Sequence, residues 1–253
     1  MGNVGLALSG GGARGIAHLG IIKAFDEMGV TFDEVSGTSF GAIAGAFYAS
    51  GVRPDEVLDI VTKTKLFLFV RPAISKTGLL KVDKLNDLFS KYLPFESFEE
   101  LNKKLTVNAT DIKAGTIKYF DQGPMIPAIL ASCCMPVIFD PMMIDGTAYI
   151  DGGILNNLPV EPLQAGCDVI IGSHCNPVQP DFKVKNAKAL LERTLLMAIR
   201  NNTLQRREFC QVFLEPAALG SYIGSDFDKA REMFEIGYDH IMGKRKQIEA
   251  ALS

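Results

Sequence analysis

The chain has 253 residues, 47% of them hydrophobic and 22% charged, a balance that belongs to folded proteins and excludes the disordered, collagenous and disulfide-stapled classes. With 26 lysines and arginines against 29 acidic residues the formal net charge is −3, so no overall field favours a nucleic-acid partner. The cysteines Cys133, Cys134, Cys167, Cys175 and Cys210 are odd in number with two adjacent; they match neither a disulfide framework nor a zinc-site spacing, and they predict a reducing, cytoplasmic setting with no metal.

The opening residues carry no basic stretch ahead of an apolar one, and Leu6 stands where a myristoylation signal needs Ser or Thr, so neither export nor lipidation is expected. Val4-Gly5-Leu6-Ala7-Leu8 is a short apolar run stopped by Ser9 and a glycine cluster, after which Ala17, Ile21, Phe25 and Met28 recur at helical spacing up to Gly29. That is strand, glycine-rich loop, helix. The order repeats: Glu34-Val35-Ser36 leads into Gly37-Thr38-Ser39-Phe40-Gly41, and residues 42–50 are small and apolar enough for a closely packed helix ending at Gly51. Two successive strand-to-helix units imply a parallel sheet covered by helices.

Residues 54–64 and 83–92 read as amphipathic helices around an irregular apolar piece at 66–72, and residues 105–109 and 116–120 as an antiparallel pair. A short helix is expected at 126–132 and a hairpin at 143–150, turning at Asp145-Gly146. A central strand at 168–172, a long helix at 186–207, a strand at 212–214 and a closing helix at 226–250 complete the order. The uncharged runs 35–52 and 122–139 are interrupted by glycines in the first and by Pro124, Pro127 and Pro136 in the second, so neither is expected to span a membrane. No repeat, low-complexity segment or linker appears, and residues 1–253 read as one α/β domain.

Gly37-Thr38-Ser39-Phe40-Gly41 is a G-x-S-x-G sequence with a strand before it and a helix after it. On such a turn Ser39 is held exposed, Gly37 and Gly41 leave room for a strained backbone, and the helix N-terminus puts amide N–H groups beside an oxygen that must become anionic. The plainer reading is a tight turn. Gly10-Gly11-Gly12-Ala13-Arg14-Gly15 also has two readings. It satisfies the dinucleotide fingerprint G-x-G-x-x-G, but the acidic ribose partner is missing: Asp33 and Glu34 precede the second strand, and its carboxyl end is Gly37-Thr38-Ser39. The other reading is a rigid row of amides at a helix N-terminus, suited to an oxyanion and delivered to the same sheet edge as Ser39.

A serine nucleophile needs a base. His18, His174 and His240 have no positioned partner in the sequence and read as packing or surface residues. Asp151, followed by Gly152 and Gly153 after an apolar strand, is the better candidate, its plainer reading being an Asp-Gly turn. A carboxylate with an ordinary pKa near ~4 is a weak base, so burial has to raise it and the oxyanion has to be strongly stabilised. Because Ser39 follows only the second strand, the α/β-hydrolase fold is disfavoured.

Together, Gly10-Gly11-Gly12-Ala13-Arg14-Gly15, Gly37-Thr38-Ser39-Phe40-Gly41 and Asp151-Gly152-Gly153 resemble the patatin-like phospholipase family. Ala131-Ser132-Cys133-Cys134-Met135-Pro136 resembles its Ala-Ser-x-x-x-Pro block, and Asn157-Leu158-Pro159 its Asn-x-Pro continuation. The similarity runs from about residue 4 to 171. The resemblance implies a three-layer α/β fold with a mainly parallel central sheet flanked by helices, and a lipid acyl hydrolase with no metal and no organic cofactor. It implies that Ser39 attacks the ester, that Asp151 takes its proton and later activates water, and that the amides of Gly11, Gly12 and Ala13 hold the oxyanion. Arg14 would hold the loop or add positive charge. The substrate would be a phospholipid or related acyl ester, with peripheral membrane contact. Two other functions stand beside this one: a non-catalytic regulatory protein on the same fold, and a dinucleotide-binding oxidoreductase.

Three further features have two readings each. Lys65-Leu66-Phe67-Leu68-Phe69-Val70-Arg71 suits a lid or lipid-facing rim, or ordinary core. Arg206-Arg207 and Lys244-Arg245-Lys246 suit anionic headgroups or simple solvated faces. Cys133 and Cys134 lie in an apolar segment and read as packing residues rather than redox sensors.

Overall fold

Val4–Leu8 is buried at every position, as a strand covered on both faces must be. It forms β1 in a computed structural model that describes residues 2–64, 71–72, 78–81, 83–179, 182–184 and 187–252. A 3₁₀ turn, Gly12–Ile16, leads into α1 (Ala17–Glu27), and β2 (Glu34–Gly37) leads through the G-x-S-x-G turn into α2 (Phe40–Ala49). Then come α3 (Pro54–Thr64), β3 (Arg71–Pro72), β4 (Gly78–Lys81), α4 (Asp83–Tyr92), β5 (Lys104–Asp111), β6 (Thr116–Phe120) and α5 (Met125–Cys133). The chain continues with β7 (Val137–Phe139), β8 (Met142–Ile144), β9 (Thr147–Asp151), β10 (Val169–Ser173), α6 (Ala187–Arg206), β11 (Val212–Leu214), α7 (Ala230–Met242) and α8 (Arg245–Leu252).

The main sheet has the order β11-β10-β1-β2-β5-β9-β8, with β6 paired to β5. From β11 to β5 all neighbours are parallel, while β6, β9 and β8 add an antiparallel end. A small second sheet joins β3, β4 and β7. Helices flank the central sheet, with α2 against β2 and β5, α5 against β5 and β9, and α1 against α7. This is the expected mixed α/β layering.

One feature of the pairing positions the site. Val107 on β5 pairs with Gly37 on β2 and also with Phe120 on β6; Ala109 pairs with Asp151 on β9 and also with Lys118 on β6. Since β6 occupies one edge of β5, β2 and β9 share the other edge. One runs parallel to β5 and the other antiparallel, so their carboxyl ends face each other across two residues, about 7 Å along the strand.

The α1–α7 crossing relies on glycine at both helices. A Cβ on Gly20 would run into the Phe234 carbonyl, and one on Gly237 into the Ala17 carbonyl. Backbone cannot yield as a flexible side chain can, so Gly237→Ala is expected to lower unfolding free energy by about 1–3 kcal/mol. Chemical denaturation checks this, and an unchanged midpoint would contradict the tight crossing.

The expected closing helix at 226–250 is instead a 3₁₀ turn at Phe227–Lys229, then α7 and α8, parted at Gly243-Lys244. Gly243 keeps a right-handed φ of −66°, and glycine's helix propensity, about 1 kcal/mol below alanine's, weakens the helix at this point. The 143–150 hairpin forms as expected, with Asp145 at φ 50° and Gly146 at φ 77°, the two left-handed residues of a tight primed turn. Of the 65–71 run only Arg71 is described, in β3; the lid reading falls outside the described residues. Arg206 is bound to Glu161 at 2.7 Å, and the guanidinium of Arg207 lies 5.1 Å from the Phe213 ring centroid, so this basic pair already has intramolecular partners. Among the described residues no helix is long and apolar enough to cross a membrane.

Candidate active site

Ser39 has φ 53° and ψ −123°, a left-handed conformation that is strained for any residue with a Cβ. Packing enforces it. A Cβ on Gly41 would run into the Leu8 carbonyl and one on Gly37 into the Gly41 carbonyl, so β1, β2 and α2 meet too closely for other residues. The Ser39 amide donates to Ser132 Oγ at 2.7 Å, while the Ser39 carbonyl accepts from Ala42 at 2.9 Å and Ile43 at 3.1 Å in the first turn of α2. The side chain is left at the helix N-terminus, half-buried.

Asp151 is the last residue of β9 and is 1% exposed. Its Oδ1 accepts the Gly153 amide at 2.8 Å. Its Oδ2 is buried and, among the described residues, accepts no hydrogen bond. Burial raises the carboxyl to a pKa of about 6, opposed by the Gly153 N–H and by the nearby Ser39 hydroxyl. The Ser39 hydroxyl thus lies near the carboxyl. Cys133 belongs to the same group: burial and the Asp151 charge hold its thiol well above the usual range, and the Ser39 hydroxyl acts on it in the opposite sense. It is a half-buried neighbour of the pair, packed against the core in keeping with its expected packing role.

In the glycine-rich loop the Gly10 carbonyl accepts from Asn176 Nδ2, from Cys175 Sγ at 3.3 Å and from Asn157 Nδ2 at 3.4 Å. In a trans peptide the C=O and the following N–H point opposite ways, so this three-way hold turns the Gly11 amide away from the Asn176 side. Among the described residues no acceptor takes the Gly11 or Gly12 amide. The Ala13 amide is already committed to the Gly224 carbonyl at 2.9 Å. Arg14 is 5% exposed and its charge acts on buried His174 and Cys175, which fits a residue that holds the loop. The loop and the serine are adjacent: a Cβ on Gly10 would lie 3.1 Å from Ser39 Cβ.

The histidines have partners elsewhere. His18 is fully buried between Ser173 Oγ at 2.9 Å and the Ser9 carbonyl at 2.8 Å, and burial lowers it to about 4. His174 Nδ1 faces Glu215 at 2.9 Å, and His240 lies beside Lys244 on α7. No group of His, Cys, Asp and Glu able to hold a metal ion occurs among the described residues.

Four contributors are not marked as such by the sequence. Ser132 stands in the sequence only as part of a motif, yet its hydroxyl holds the Ser39 amide. Asn108 lies inside β5 and Asn176 beyond the end of β10, lone asparagines with no spacing that marks them. Gly224 acts through a backbone carbonyl, which no side-chain pattern reveals.

The sequence profile of the family described as patatin-like phospholipase matches residues 6–163. The chain belongs to the patatin-like phospholipase family. An uncharacterized NTE family protein of Mycobacterium tuberculosis is 37% identical over 163 residues, covering 63% of this chain and 45% of the relative. Lysophospholipase nte1 of Aspergillus fumigatus is 32% identical over 180 residues, 66% of this chain and 11% of the relative. Patatin-like phospholipase domain-containing protein 7 of Rattus norvegicus is 27% identical over 277 residues, 94% of this chain and 20% of the relative. The chain thus spans less than half the length of these curated relatives. The crystal structure of VipD from Legionella pneumophila shares the fold, with a TM-score of 0.53 at 16% identity, covering 95% of this chain and 66% of that one.

Proposed function

We propose that the protein is a serine hydrolase of lipid carboxylic esters, acting on phospholipids, lysophospholipids or related acyl esters through a Ser39–Asp151 dyad. The observation that carries this reading is a strained, half-buried serine at a helix N-terminus beside a desolvated carboxyl with one unpaired oxygen and a pKa of about 6. Groups tuned by burial toward the working pH are typical of catalytic bases. Membership of the patatin-like phospholipase family and the named lysophospholipase relatives support a lipid substrate.

Ser39 Oγ attacks the ester carbonyl carbon as its proton passes to Asp151. The carbonyl oxygen becomes an oxyanion and is stabilised by the open Gly11 and Gly12 amides, helped by the positive end of the helical segment. The C–O bond to the leaving alcohol breaks, the alcohol takes the proton back from Asp151, and the acyl group remains on Ser39. Water then attacks the acyl carbon as Asp151 accepts its proton, the bond from the acyl carbon to Ser39 Oγ breaks, Oγ takes the proton back from Asp151, and fatty acid is released.

In this proposal residues 1–253 act as one catalytic domain in a reducing, cytoplasmic setting, supported by five cysteines that are all free. Peripheral contact with a lipid surface is supported by Val137, Ile138 and Met143, exposed at 62%, 43% and 58%, shortly after the Ser132 segment in sequence.

The test is mass-spectrometric detection of products from lysophosphatidylcholine and phosphatidylcholine vesicles. Free fatty acid with the matching deacylated lipid is expected from at least one of them. Folded protein that releases no fatty acid from either, nor from short-chain esters, would sink the reading.

A further inference from the structure

We propose that Asn108 is a positioning residue that sets the separation between Ser39 and Asp151. The inference rests on the dyad reading above. It follows from the meeting of β2 and β9 on one edge of β5: Val107 pairs with Gly37, Ala109 pairs with Asp151, and Asn108 is the single residue between. Backbone pairing fixes each strand to β5 but leaves no ladder bond across the gap between their ends, where the two reacting side chains sit.

The Asn108 side chain spans that gap. Its Oδ1 accepts the Thr38 hydroxyl at 2.7 Å, on the residue before the nucleophile. Its Nδ2 donates at 2.7 Å to the carbonyl of Asn156, in the turn that begins at Asp151. The Thr38 hydroxyl also reaches the Asn156 carbonyl at 3.2 Å, closing a triangle. The backbone carbonyl can only accept, so the amide orientation is fixed by its partners. Asn156 is in turn held by its own amide on the Gly152 carbonyl at 2.8 Å, and its side chain donates to Glu161 at 2.8 Å and to Tyr119 at 3.0 Å. A Cβ on Gly152 would come within 2.7 Å of Asn108 Cγ, so the base turn also packs directly on this amide. Asn108 is fully buried, and no water competes for these bonds.

An asparagine suits the position because one short planar group must accept on one side and donate on the other. Aspartate keeps the acceptor, loses the donor and sets a carboxylate against the Asn156 carbonyl. Leucine keeps the volume and loses both bonds. Either change frees the two strand ends to shift relative to one another, and a displacement near 1 Å in a reacting geometry lowers rate by roughly 100-fold.

The experiment compares wild type, Asn108→Leu, Asn108→Asp, Thr38→Val, Thr38→Ser and the double variant Thr38→Val/Asn108→Leu. Each is assayed on a p-nitrophenyl ester and for its rate of labelling by a fluorophosphonate, with folding checked by circular dichroism. In the folded variants, Asn108→Leu and Thr38→Val are expected to lower kcat and labelling rate about 10–100-fold with KM within about two-fold. Thr38→Ser, which keeps the hydroxyl, is expected to stay near wild type, and the double variant to be no worse than the more impaired single one. Folded single variants with wild-type kcat, or losses that multiply in the double variant, would overturn the proposal alone. Wild type that takes no fluorophosphonate would overturn the Ser39 reading, and this proposal with it. If Asn108→Leu does not fold, Thr38→Val against Thr38→Ser decides, since the first removes the hydroxyl that Asn108 accepts and the second keeps it.

Discussion

On the proposed mechanism, replacing Ser39 with alanine is expected to lower ester turnover by about 10⁴-fold or more, because the reaction loses its nucleophile while the surrounding amides remain. Stability should change little, within about 0.5 kcal/mol, since the hydroxyl is not a structural link and the Cβ penalty at φ 53° is the same for alanine. Glycine separates the two roles further. Ser39→Gly removes the nucleophile and also the strain, so it is expected to be equally inactive but more stable by about 1 kcal/mol. Kinetics alongside chemical denaturation check both statements. An active Ser39→Ala, or a Ser39→Gly that is less stable than wild type, would contradict the account of this turn.

Asp151→Asn is expected to abolish turnover by a similar factor, on the order of 10³–10⁴, and at the same time to stabilise the fold. The folded-state pKa of about 6 lies above the ordinary value of 3.8, through desolvation first. The folded protein therefore binds a proton that the unfolded chain has already lost between these two values. Stability from this group is fully present below pH 3.8 and is lost as pH rises through about 6. At neutral pH the buried carboxylate costs about 2–3 kcal/mol. Asparagine carries no charge and retains an acceptor for the Gly153 amide, so most of that penalty disappears. The same titration governs activity with the opposite sign: only the ionised form accepts the serine proton, so kcat/KM should fall tenfold per pH unit below about 6. Thermal melts of both proteins from pH 5 to 8 test the first statement. Stabilities that run parallel across this range would show that the carboxyl is not desolvated.

The chemistry of this site was legible where it is local. Gly37-Thr38-Ser39-Phe40-Gly41 and Asp151-Gly152-Gly153 each announce a strand followed by a sharp turn, because the glycines needed for close backbone approach lie within a few residues of the functional side chain. The glycine-rich loop was legible for the same reason, but its donor count was not: the Ala13 amide meets a Gly224 carbonyl from a segment more than 200 residues away in sequence. The convergence of Ser39 and Asp151 depends on β2 and β9 sharing one edge of β5, and pairing register is a long-range property that no window of sequence contains. Asn108 was invisible for that reason, being an ordinary polar residue inside a strand until the two strand ends are brought together around it. In the last third, helical periodicity located α7 and α8 but ran through the Gly243-Lys244 break, since one glycine interrupts a pattern less than it interrupts a helix.

If its setting activates Ser39, intact-mass labelling with a fluorophosphonate will report it, because this reagent bonds to an activated serine. Wild type is expected to gain a single adduct, Ser39→Ala none, and Asp151→Asn an adduct that forms far more slowly. A folded wild-type protein that gains no adduct, or a Ser39→Ala protein that gains the same one, would contradict it.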